Sequence, residues 1–341
     1  MKRMLATLMV LSLSLALLAG CGSQGNTSGS GETGDTIVFK VAHVESSESF
    51  LHQSLVKWKE YVETETNGRV KVELYPNGEL GGDDEVIEGI RMQNIHMSIC
   101  SSSTLTTYDE KLGLLDLPFL FESVEGMDAA IRGELGDLYA QWMDAAGFYC
   151  MGFQYDGSRG LSNSVRPVST PDDMKGLKVR VMQNEIYINT FKALGANPTP
   201  MSFNDVYSGL QQKTIDGQDN SPMLTYINNF YEVQPYYSTL GHVICNAIII
   251  TDKAFMESLP ADILEILQTG ADTYLMDWQR QQAMDAEEDY IQKMIDGGVS
   301  VTRIEDKTPF IDAVQSVYDI YRDRLGDEVI DQLISLARGT N

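Results

Sequence analysis

The chain is poor in the residues that build reactive centres. It carries four cysteines and four histidines in 341 residues. No Gly-x-Ser-x-Gly, His-Glu-x-x-His or Cys-x-x-Cys occurs, so the usual frames for a serine nucleophile, a zinc site or a reactive dithiol are missing. The histidines, His43, His52, His96 and His242, have no metal-ligand spacing and read as structural, with only His43 near an expected cleft. Basic residues are scarce too. Against 49 acidic side chains stand 25 lysines and arginines, a formal charge of −24 that argues against nucleic acid or an anionic bilayer as partner. No internal repeat is visible. Nothing calls for a cofactor.

The first twenty residues read as a targeting segment. Lys2 and Arg3 precede an apolar run from Leu5 to Leu18, which is short for a bilayer span of about twenty residues. Leu18-Ala19-Gly20-Cys21 then resembles a lipobox, which makes Cys21 the expected lipidated first residue of the mature chain. Residues 21–35 are mostly Gly, Ser, Thr and Asn and are expected to be a flexible tether. Within them, Gly29-Ser30-Gly31-Glu32-Thr33-Gly34 spells a dinucleotide fingerprint, but no strand precedes it and no helix follows, so it reads as chance. The remaining cysteines, Cys100, Cys150 and Cys245, are an odd, widely spaced set in apolar contexts. They read as buried thiols, with one exported disulfide pair left open.

What remains is long for one domain and comfortable for two lobes. Ile37 to Val44 is a β-branched run. Leu51, Leu55, Trp58 and Val62 then mark one helix face, and Val70, Val72 and Leu74 alternate with polar residues. A short helix around Val86 and a strand from Ile95 to Cys100 complete an α/β alternation. Val124, Met127, Ile131, Leu135, Leu138 and Trp142 recur at three and four, predicting one amphipathic helix. Strands are expected at Phe148 to Gln154, Leu177 to Met182 and Cys245 to Thr251, and a helix through Ile186 and Leu194. Ser202 and Asp205 predict a capping box for a helix through Val206 and Leu210. From Pro260 to about Gly297 there is no further proline, which predicts a helix long enough to run along both lobes. Two helices, around Phe310 to Tyr321 and Glu328 to Leu336, close the chain.

The most telling stretch lies between. Arg159 sits in a glycine-flanked turn, and Arg180 on a strand, Gly176-Leu177-Lys178-Val179-Arg180-Val181. Both come ahead of a polar turn, Asp216-Gly217-Gln218-Asp219-Asn220-Ser221-Pro222. Two guanidiniums and an amide at element ends grip an organic anion rather than transform it. Arginine suits the task because its planar fork gives two parallel hydrogen bonds to one carboxylate and never loses its charge. Such arginines must overcome the field of an acidic molecule, which salt screens beyond about 8 Å.

Several segments together resemble the substrate-binding proteins of tripartite ATP-independent periplasmic (TRAP) transporters, the DctP type. They are Thr66-Asn67-Gly68-Arg69-Val70, Leu74-Tyr75-Pro76, Leu115-Asp116-Leu117-Pro118-Phe119, Asp173-Met174-Lys175-Gly176-Leu177, Leu194-Gly195-Ala196-Asn197-Pro198, Asp216-Gly217-Gln218-Asp219-Asn220 and Phe230-Tyr231-Glu232-Val233. The likeness runs from about residue 37 to the C-terminus.

This resemblance implies an α/β, two-lobed, periplasmic-binding-protein-like fold with a hinge, crossing strands and a long helix spanning both lobes. The expected division is 36–156 with about 246–285 in one lobe, and 157–245 with about 286–341 in the other. It further implies Arg180 as the main carboxylate clamp, Arg159 as the second arginine, Asn220 and Gln183 as polar contacts and Phe203 packing on the ligand. The first lobe is expected to offer His43, Glu45, Asp83 and Ser101. Some relatives carry an acid where Ser101 stands, which weakens any case for sialic acid.

The expected partners are a small organic acid and one small and one large integral membrane subunit. The chain is expected to be a monomer, held to the membrane only by its lipid, facing the periplasm or cell exterior. A receptor for an ATP-driven importer shares the cleft but not these segments. An extracytoplasmic enzyme on the same scaffold lacks a recognisable nucleophile or metal set.

Overall fold

β-branched and aromatic stretches such as Ile37–Ala42 and Ile244–Asp252 become strands in the computed structural model, which describes residues 36–339. The expected signal segment, Cys21, the tether and the Gly29–Gly34 run lie outside the described residues. In chain order the strands are β1 (Ile37–Ala42), β2 (Val70–Tyr75), β3 (Met97–Ser101), β4 (Phe148–Ser158), β5 (Gly160–Asn163) and β6 (Lys178–Val181). There follow β7 (Asn197–Pro200), β8 (Gly217–Asn220), β9 (Tyr236–Ser238), β10 (Ile244–Asp252) and β11 (Ser300–Thr302).

They form two mixed sheets. One is ordered β2-β1-β3-β10-β4 and the other β11-β9-β5-β8-β6-β7. In the first, β1 runs parallel to β2 and β3, and β10 runs antiparallel to β3 and β4. In the second, β6 is parallel to β7 and β8, and β5 is antiparallel to β8 and β9. This is a two-lobed α/β architecture; the alternation of elements predicts its class, and the chain length and the resemblance predict the two lobes.

The helix Phe50–Glu65 forms where the spacing predicts it, burying Leu51, Leu55, Trp58 and Val62 on one face. Its Trp58 Nε1 donates to the carbonyl of Leu267 at 3.1 Å. That carbonyl belongs to the long helix, which is continuous from Ala261 to Asp296 and spans roughly 50 Å at 1.5 Å per residue. Its middle, Ala271–Trp278, is π-helical, and the junctions at Gly270 and Trp278 keep ordinary helical dihedrals. It packs on the helix Phe50–Glu65 along its length, its middle and later parts pack on β4, and its later part also packs on the helix Pro222–Ile227. Among the described residues no helix is long and apolar enough to cross a membrane.

Four local readings are corrected. The helix expected through Val124 and Trp142 is two, Val124–Ile131 and Glu134–Ala145, because Gly133 leaves the helical region (φ −113°, ψ −147°). The C-terminal pair is a trio, Thr308–Ala313, Gln315–Leu325 and Asp327–Arg338, interrupted at Val314 and at Gly326 with φ +90°. Ser202 makes no capping bond; a 3₁₀ turn at Phe203–Asp205 leads into the helix Val206–Gln211 instead. The fourth correction, the polar segment at 216–222, belongs to the site below. Cys100 and Cys150 are free thiols, the first buried and the second half-buried, and burial pushes the Cys150 thiol up to about 12.

Candidate functional site

The chain crosses between the sheets at one residue. β4 leaves the first sheet at Ser158, β5 enters the second at Gly160, and Arg159 stands between them. The return crossing, from β9 to β10, runs alongside. Arg159 donates its N–H to the Val243 carbonyl at 2.9 Å, and its own carbonyl accepts from Gly241 N–H at 2.8 Å. Gly157, just upstream, has φ +88°, and a Cβ there would sit 2.5 Å from the Cβ of Ser221. Only glycine fits such a bend.

This backbone delivers the Arg159 side chain into the interior, where it is 3 % exposed. Nε donates to Asp219 Oδ2 at 2.7 Å, and Nη2 donates to the Asp219 carbonyl at 2.6 Å. The guanidinium lies 5.3 Å over the ring of Tyr187, and His242 Nε2 is 3.3 Å from the same Asp219 oxygen. Burial opposes a charge on Asp219, but Arg159 and His242 outweigh it and hold the carboxyl well below its usual range. Asp219 thus orients the arginine, and the pair shares one buried ionic knot.

The segment read as a polar turn is in fact β8, with all four of its residues buried. It lies in the middle of the second sheet because its polar groups satisfy one another. Gln218 donates to Ser162 Oγ at 2.8 Å, and Asn220 Nδ2 donates to Gln218 Oε1 at 2.5 Å. Tyr237 donates its hydroxyl to the Asn220 carbonyl at 3.2 Å. At Gly217 a Cβ would meet the Ser162 carbonyl oxygen at 2.3 Å, so glycine is what lets β5 and β8 approach. A buried polar strand is stable only when its donors and acceptors are paired this way.

Arg180, on β6, is equally buried. Its Nε donates to the Met201 carbonyl at 2.9 Å, and its guanidinium lies 5.9 Å over the Phe203 ring. Burial lowers its pKa to about 10, with Asp219 acting in the opposite sense, so the side chain keeps its charge at neutral pH.

Both arginines line one cavity of about 50 Å³, together with Phe203, Asn220, Ser101, Glu45 and Asp83. Asp156 and Met182 also border it. Asp83, Arg180, Met182 and Phe203 are shared with a wider hollow of about 650 Å³ that opens beyond, and Gln183 lines that hollow only. His43 belongs to neither wall. It is buried with Nε2 3.0 Å from His52 Nδ1, and burial, with His52 second, pushes its pKa down to about 3.

The wall facing the arginines is acidic. Burial raises Glu45 well above the ordinary carboxyl range, and nearby Asp156 adds to it. Burial likewise raises Asp83 to about 7, with Asp84 contributing. Ser101 is engaged by Asp116, which accepts from Ser101 Oγ at 3.0 Å and from the Ser103 N–H at 3.0 Å. Among the described residues no set of three or more His, Cys, Asp or Glu side chains is placed to hold a metal ion.

Reasoning from the sequence missed Asp219, His242, Asp156 and Asp116. A buried arginine demands a buried counter-charge, which could have singled out Asp219 within its quoted segment. No sequence signal marks His242 or Asp156.

The model of the family described as "Bacterial extracellular solute-binding protein, family 7" matches residues 41–324. A curated relative, the 2,3-diketo-L-gulonate-binding periplasmic protein YiaO of Escherichia coli K12, is 30% identical over 77% of this chain and 80% of its own length. The solved sugar acid binding protein DctPAm of Advenella mimigardefordensis, in complex with galactonate, superposes with a TM-score of 0.85 at 26% identity. The superposition covers 90% of this chain and 99% of that one. A TRAP periplasmic solute-binding protein of Shewanella oneidensis, with bound succinate, gives a TM-score of 0.84 at 27% identity over 89% and 99%.

Proposed function

The chain belongs to family 7 of the bacterial extracellular solute-binding proteins, and from that premise we propose that it is a TRAP receptor which captures a small organic acid anion between its two sheets. Arg180 is the main clamp on the carboxylate, and Arg159 is the second cation, held in place by Asp219. Phe203 packs on the ligand, Asn220 offers polar contact from β8, and Glu45, Asp83 and Ser101 close from the other side. The single observation that carries this reading is that Arg159 and Arg180 line the same cavity. A cavity of about 50 Å³ has room for only a few waters. Loading therefore requires the sheets to part, and the crossing ribbon at Arg159 is the place for that hinge. In this reading residues 36–156 with about 246–285 move as one lobe, and 157–245 with about 286–341 as the other.

The loaded receptor then delivers its anion to one small and one large integral membrane subunit. It is a monomer on the outer face of the cytoplasmic membrane, tethered through lipid on Cys21. Titration calorimetry against a panel of organic acids tests the clamp. Arg180→Ala is expected to weaken the cognate acid at least tenfold, in keeping with about 1.5–3 kcal/mol for a charged hydrogen bond, while the variant without ligand still unfolds cooperatively. An unchanged affinity would remove Arg180 from the site.

A further inference from the structure

The two walls of the cavity are chemically opposite, and the acidic one keeps two buried oxygens without a partner. Arg159 and Arg180 are both bonded to protein groups. Across from them, Glu45 is 7 % exposed, and its Oε2 has no hydrogen-bond partner in the protein. The buried Oδ1 of Asp83 likewise has none. Asp156 borders the same space. The apolar neighbours Ile99 and Ala247 bring no side-chain donor to these oxygens. Buried acceptors are normally bonded, and a pair left over in a cavity wall asks for donors from whatever enters.

We propose that Glu45, Asp83 and Asp156 make this a receptor for hydroxylated monocarboxylates, disfavouring dicarboxylates of the same length. This deepens, and rests on, the reading of the cavity as an organic-acid site. The ligand's carboxylate meets Arg180 and Arg159. Its far end carries hydroxyls, which donate to the carboxyl oxygens of Glu45 and Asp83. A second carboxylate at that end brings four acceptor lone-pair sites and no donor to the unpartnered oxygens, and must itself be buried as a charge. In a water-poor cavity that juxtaposition is strongly unfavourable. Selection here works by mismatch at the far end as much as by the grip at the near end.

The experiment compares acids matched in carbon skeleton and differing only at the far end. Erythronate is paired with tartrate and galactonate with galactarate, each titrated calorimetrically into the purified wild-type protein. In a pair that binds, the monocarboxylate is expected to bind at least tenfold more tightly. Glu45→Gln, which keeps the shape and supplies a donor, is expected to cut that preference at least threefold by improving the dicarboxylate. Equal affinities, or tighter binding of a dicarboxylate in wild-type protein, overturn the inference and leave the carboxylate clamp standing. If no acid of either kind binds, the organic-acid reading fails and takes the inference with it. The wild-type comparison needs no variant to fold.

Discussion

Two strands run through the interiors of the two sheets and reach burial by opposite means. β10 is filled with Ile248, Ile249 and Ile250, none of them exposed, and holds its place by packing between β3 and β4. β8 is Gly217-Gln218-Asp219-Asn220, as thoroughly buried, and holds its place by bonds to Ser162, Arg159 and Tyr237. Packing is forgiving, since a lost methyl group leaves a small void and little else. A bonded polar strand is not, because removing one partner strands another in a medium that cannot solvate it. The second kind of strand belongs beside a ligand site, where charge must be fixed in direction before the ligand arrives.

The contrast can be broken most directly at Asp219. Replacing it with alanine leaves Arg159 buried without its counter-ion, and the expected loss is about 3–5 kcal/mol in urea denaturation. A loss below about 1 kcal/mol would mean that β8 does not depend on its ionic knot.

A pH series sharpens the comparison by setting Asp219 against Asp83. Asp219 has a folded pKa below its unfolded one, so its contribution is present above the unfolded value and fades as pH falls. Asp83 is raised from its usual 3.8 to about 7, so the folded state keeps a proton that the unfolded state releases. Its contribution is therefore full below 3.8 and lost as pH rises through about 7. Between those values the Asp83 part of the stability slope is at most about 1.4 kcal/mol per pH unit. Asp83→Asn should flatten the decline, and an unaltered profile would show that Asp83 titrates normally.

The smallest effect is expected on the apolar side. Ile249→Val in β10 should cost about 0.5–1.5 kcal/mol by thermal or chemical unfolding. A cost as large as that of Asp219→Ala would erase the distinction between the strands.

The same contrast explains what could be read from the sequence. β10 and the helix Phe50–Glu65 were legible because apolar side chains at a fixed period announce burial locally. β8 was not, because what makes its burial tolerable lies 60 residues away at Arg159 and closer by at His242, and periodicity carries no information about distant partners. Of the residues that the resemblance implies, Gln183 and His43 do not border the cavity, whereas Arg159, Arg180, Phe203, Asn220, Ser101, Glu45 and Asp83 do. Their company was harder to foresee. Asp156 sits on a strand whose neighbours Tyr155 and Gly157 say nothing about a cleft. The break at Gly133 escaped because the spacing of Val124, Ile131 and Trp142 carries straight across it.

Arg159 is tied by its amide and carbonyl to Val243 and Gly241, and by its guanidinium to β8. If the lobes swing about this crossing as proposed, axle and latch are one amino acid, and a pull on the side chain would feed torque back into the pivot.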